Sequence, residues 1–85
     1  MVPKQQVNIP VTLDTLQQGQ KGNILRILSG NSRLQRKLLT MGYISGTDIE
    51  VVCRAPLGDP IQVRALGYNL SLRLSEAKFV EVSPA

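Results

Sequence analysis

Catalysis at neutral pH needs groups that attack or move protons, and this 85-residue chain holds few of them. It has one thiol, Cys53, no histidine, and six carboxylates at Asp14, Asp48, Glu50, Asp59, Glu76 and Glu81. Nucleophile–histidine catalysis is excluded within the chain, because no imidazole is present to take the proton. A zinc site of the usual nitrogen and sulfur ligands is excluded on the same grounds. Iron would have to be held by carboxylates alone, so no metal site and no cofactor are expected. The carboxylates are scattered, and no two have a spacing that suggests acid–base work. No G-x-x-x-x-G-K-[ST] loop occurs, and the peptide Gly58-Asp59-Pro60 shares only its letters with a nucleotide. The expectation is a protein that binds rather than catalyses.

The stretch that best suits binding is RAPLGDPIQVRALGYNLSLR, Arg54 to Arg73. Pro56 and Pro60 press the residues before them into extended backbone. Gly58 can take a positive φ, and the Asp59 carboxylate can accept a turn N–H. Turn chemistry explains each residue, yet two prolines also stiffen the corner, so little ordering is lost when it binds. The candidate partner-binding residues are Arg54, Leu57, Gly58, Asp59, Pro60 and Arg64. A second basic face, Arg33, Arg36 and Lys37, is the alternative. Its arginines fall in the first turns of a helix, where the dipole disfavours cations. An arginine-finger role for Arg54, Arg64 or Arg73 is outweighed by ordinary strand and ion-pair roles.

Strands must position that corner. DIEVVCR and IQVRAL read as a hairpin with Ile49, Val51 and Cys53 facing inward against Ile61, Val63 and Ala65. Pairing Cys53 with Val63 leaves 56–60 as the loop, Arg54 across from Gln62, and Val52 across from Arg64. Cys53 is then a small buried core residue. Upstream, VNIPVTL reads as an extended segment that Pro10 confines to an edge or bulge. Asp14 suits the cap of one helical turn, and NILRILS suits a strand. SRLQRKLLTMG is the main helix, with a Ser32/Gln35 capping box, a C′ glycine at Gly42 and a core stripe of Leu34, Leu38 and Met41. SEAKF suits one helical turn and FVEV a last strand. Short strands, one helix and Gly-rich corners together describe a small, partly closed β-barrel.

The size supports one domain, with 42% hydrophobic and 19% charged residues as in globular proteins. No apolar run approaches the ~18 residues that cross a bilayer, and MVPKQQVNIP lacks a signal-peptide core. A cytosolic location follows as the default. Ten basic against six acidic residues give a net charge of +4, a mild bias toward acidic partners.

Three ordered blocks give the chain a resemblance. Arg36, Leu38, Met41, Gly42, Gly46, Ile49 and Val51 form the first. Ala55, Pro56, Gly58, Asp59, Pro60, Ile61 and Val63 form the second, and Gly67, Tyr68, Leu70, Ser71, Leu72, Arg73, Glu76 and Ala77 the third. Together with TLDTLQQGQKGNILRI, they make the chain similar to the FeoA family of the bacterial ferrous-iron uptake system over residues 12 to 82. Ser45 departs from the proline common among relatives. The resemblance implies a mainly β fold, a small SH3-like β-barrel with one main α-helix and short helical turns. Residues 12–85 would form it, behind an N-terminal extension at 1–11. It also implies a stand-alone form rather than a repressor's C-terminal domain, and a non-enzymatic accessory role. The partner implied is the cytosolic, GTPase-containing part of the FeoB membrane iron transporter, which would place the chain peripherally at the inner face of the membrane. Weak self-association is a further open contact. The alternative is a small nucleic-acid-binding β-barrel. Against it, Tyr43, Tyr68 and Phe79 are the only aromatics, too few for a stacking platform. The same poverty argues against a Pro-rich peptide groove.

Overall fold

Apolar and polar side chains alternate in short stretches, most cleanly in IQVRA, and this period of two underlies six strands. The structure is a computed structural model that describes residues 9–85. The strands are β1 (Val11–Thr12), β2 (Lys21–Ile27), β3 (Asp48–Arg54), β4 (Ile61–Ala65), β5 (Tyr68–Leu72) and β6 (Val80–Pro84). They form one antiparallel sheet in the order β1-β6-β2-β3-β4-β5. A one-turn 3-10 helix, Leu13–Thr15, follows β1; α1 (Ser32–Thr40) joins β2 to β3, and α2 (Leu74–Ala77) joins β5 to β6. The inward residues Ile24, Ile49, Val51, Ile61, Val63, Leu72, Val80 and Val82 meet Leu13, Leu38 and Tyr43 in one core. The expected hairpin, helical turns and last strand are all present. Of the expected extended segment, Val11–Thr12 pairs with β6, while residues 7 and 8 lie outside the described residues.

The main helix is built much as its sequence suggests, with one change at its start. Asn31, not Ser32, is the N-cap: its side-chain oxygen accepts from the Leu34 N–H at 3.1 Å. Asn and Ser cap about equally well, so the residue one position earlier wins by geometry. Leu34 and Leu38 are buried, and Met41 is half-buried against the core. At the far end Gly42 has φ +93°, as a C′ residue requires. A Cβ there would meet Leu66 Cδ1 at 2.7 Å, so the helix end and the β4–β5 turn are packed directly together. The helical turn after β1 also differs from expectation. Asp14 sits inside it rather than capping it, and its carboxylate accepts from the Thr12 hydroxyl.

The hairpin carries the largest correction. Val51 pairs with Val63, Cys53 with Gln62, and Arg54 with Ile61, so a bulge falls between Val51 and Cys53. Val52 is the extra residue. Glu50, not Val52, lies across from Arg64, and the connection runs from 55 to 60. A bulge turns over every face beyond it. Cys53 is therefore exposed rather than buried, and Arg54 takes the inward side that Cys53 was expected to occupy.

Candidate functional site

Because the bulge sends Arg54 inward, its guanidinium becomes a tie rather than a rim. Nη2 donates to the Leu16 carbonyl at 2.8 Å and to that of Asp14; Nε donates to Leu16 at 3.2 Å. Nη1 reaches the Gly58 carbonyl at 3.5 Å. One planar fork thus joins the corner, β3 and the 3-10 turn, a task suited to arginine's fixed donor geometry. Arg54 does not share an outward face with Arg64, contrary to the sequence expectation.

The corner itself is closed by its own backbone. Gly58 N–H donates to Ala55 O at 2.7 Å with φ +87° at the glycine, and Ala55 N–H donates to Pro60 O at 3.1 Å. The Asp59–Pro60 peptide is cis. Asp59 was expected to serve the turn, but its carboxylate accepts from the Leu74 N–H at 3.0 Å, the start of α2. α2 gains a second fastening where the Glu76 carboxylate accepts from the Arg73 N–H at 3.0 Å. Arg54 on one side and Asp59 on the other therefore anchor the loop, and Leu57 projects from its tip with 95% of its surface exposed.

Arg64 lies on the outer face of β4 as expected, its Nε donating to Asn69 Oδ1 at 3.1 Å. Arg33, Arg36 and Lys37 are exposed on α1, and with Thr40 and Met41 they line a shallow groove. No carboxylate occurs between Asp14 and Asp48, so nothing on that helix offsets the cations. The structure keeps the two candidate faces separate: the corner is an apolar tip, Arg64 lies along the outer face of β4 with Asn69 as its partner, and the helix is a basic face. Sequence reasoning missed the exposed pair Leu66 and Tyr68, at 57% and 39%. The signal was the Leu-Gly step after IQVRA, since a two-residue turn there must lift Leu66 into solvent. Leu66 has φ +58°. Among the described residues, no three Cys, Asp or Glu side chains converge as metal ligands would. No helix among them is long and apolar enough to cross a membrane.

The fold and its surfaces define a small antiparallel SH3-like barrel whose most prominent feature is an anchored loop. The FeoA domain model matches residues 11–84, and the chain belongs to the FeoA family. The chain is similar to the FeoA-like protein of Clostridium acetobutylicum, with 39% identity and a TM-score of 0.80 over 88% of this chain and 86% of that one. It also resembles Stenotrophomonas maltophilia FeoA complexed with zinc, described as a procaryotic SH3 domain protein, with 28% identity and a TM-score of 0.78 over 86% and 89% of the two chains. A Porphyromonas gingivalis relative, an Fe(2+) transport protein A/Fe(2+) transporter FeoB fusion protein, is 39% identical over 70 residues. That match takes in 82% of this chain but spans only 8% of the fusion protein's length. A manganese-dependent transcriptional repressor shares the fold alone, at 18% identity and a TM-score of 0.81.

Proposed function

We propose that this protein is a non-enzymatic accessory module of ferrous iron uptake that docks on the cytosolic, GTPase-containing part of a FeoB transporter. One observation carries the reading: in the Porphyromonas gingivalis relative, a sequence 39% identical to this chain is joined to FeoB in one polypeptide. Joining two modules raises their effective concentration, which is useful when they act on one another. The contact surface is the anchored corner. Leu57 supplies an exposed apolar anchor, and Arg64, held by Asn69 through its Nε, an exposed cation on the strand face leading from it. A few such anchors carry most of the energy of a small interface. Arg54 drops out of the contact set because its donors are engaged within the fold, and Asp59 positions the loop. Docking of this kind places the module at the inner membrane surface through its partner.

The test is a pull-down and titration with the cytosolic part of FeoB from the same organism, with and without GTP. Leu57→Ala combined with Arg64→Glu should leave the circular dichroism spectrum unchanged and weaken binding by about 1–2 kcal/mol or more. Arg64→Ala serves as a control, because a carboxylate at 64 would face Glu50 across the ladder. Wild-type affinity in the double variant would move the contact to Arg33, Arg36 and Lys37. The nucleic-acid reading is the weaker one, and it demands a steep loss of RNA or DNA affinity with salt.

A further inference from the structure

The sheet has two edges, and the chain treats them differently. β1 is two residues long and follows Pro10, which cannot donate to a neighbouring strand. β5, at the other edge, is five residues long and pairs with β4 without a break in register. It contains no charge and no proline, the residues with which edge strands are ordinarily protected. Among the described residues, β4 is the only element bonded to its backbone.

The tight turn reveals which groups are free. Leu66 and Gly67 both have positive φ, +58° and +85°, as a type I′ two-residue turn requires. The flanking pair Ala65–Tyr68 is then a hydrogen-bonded pair, and alternation makes Val63–Leu70 and Ile61–Leu72 the same. Arg64–Asn69 and Gln62–Ser71 are the intervening pairs, so the N–H and C=O groups of Asn69 and Ser71 point away from β4. Both residues are exposed.

We propose that this edge pairs antiparallel with β5 of a second copy of the chain, about a two-fold axis through Leu70. In that register Asn69 faces Ser71 of the second copy twice over, and each such pair exchanges both of its N–H···O bonds. Every outward backbone group of the two residues is thereby used. Leu70, half-buried, meets Leu70 of the second copy at the close, non-bonded position, and Arg73 falls across from Gly67, so no two cations oppose. The exposed apolar side chains also fit. Leu66 and Tyr68 lie at one end of β5, and Leu57 lies in the loop at the other, so antiparallel pairing places them at the same end of the joined sheet. Five paired residues bury much less than the ~1,200 Å² of a stable complex, so the dimer is weak and reversible. This proposal does not rest on the FeoB reading.

Sedimentation velocity and amide shifts on dilution of the full chain test it. A concentration-dependent dimer is expected, with the Asn69 and Ser71 amides shifting most. Ser71→Pro removes only an outward N–H, and it should weaken the dimer at least ~tenfold, or about 1.4 kcal/mol. Should that variant fail to fold, charge pairs give the same answer: Asn69→Asp with Ser71→Lys keeps the dimer, and Asn69→Asp with Ser71→Asp abolishes it. A chain that stays monomeric to ~1 mM, or dilution shifts confined to α1, overturns the proposal.

Discussion

Arg54 shows how far one extra residue in a strand can move a side chain's role. Arg54→Ala should cost about 1.5–3 kcal/mol in denaturant unfolding, the range for hydrogen bonds to a charged donor. Arg54→Lys should recover only part, because an ammonium cannot fork between the Leu16 and Asp14 carbonyls. An Arg54→Ala variant that unfolds like the parent would show the tie to be idle. The candidate site was only partly legible for this reason. Leu57, Gly58 and Pro60 were readable because proline and glycine act through their own backbone. Arg54 and Cys53 were not, because their faces depend on a bulge at Val52 that strand alternation cannot reveal. The Asp59 bond to Leu74 joins residues fifteen apart in sequence, and no local rule points to it.

Elements were far more legible than faces. The helix announced itself through Leu34 and Leu38, which point into the core one turn apart. Leu38 is fully buried, so Leu38→Ala should lose roughly 2–5 kcal/mol through the cavity it leaves. Near-unchanged melting would show that α1 does not contribute to the core as described. The strands were legible because IQVRA alternates cleanly between buried and exposed positions. The Asn31 cap was missed by one residue, since SGNS offers several cap-competent side chains in a row and only the loop's path selects among them.

The molecule as a whole should report on its core through alkaline pH. Tyr43 is buried, and its hydroxyl has no hydrogen-bond partner in the structure. Burial, and then the nearby Tyr68, push its pKa up from 10.0 to about 12. Below pH 10.0 both folded and unfolded chains hold the proton, and the stability is intact. Between 10.0 and about 12 the unfolded phenol ionises while the folded one cannot, so stability falls as pH rises. Tyr43→Phe should flatten that decline relative to the parent in unfolding curves taken across this range. Equal slopes would mean that Tyr43 titrates as an exposed phenol does. An aromatic among so few was read from sequence as a missing stacking platform; its place at the centre of the core depended on the whole fold.

The pairing of β1 with β6 has a consequence for how such a module can be wired into other proteins. Val11 lies beside Val82, and Thr12 beside Glu81, so the chain enters and leaves the barrel at neighbouring points on one edge. A short linker could join those points, and the chain could be reopened at the Leu66–Gly67 turn without severing a strand. Nearby entry and exit points also let the barrel be inserted into a longer polypeptide as well as appended to one, without pulling that polypeptide's own ends apart.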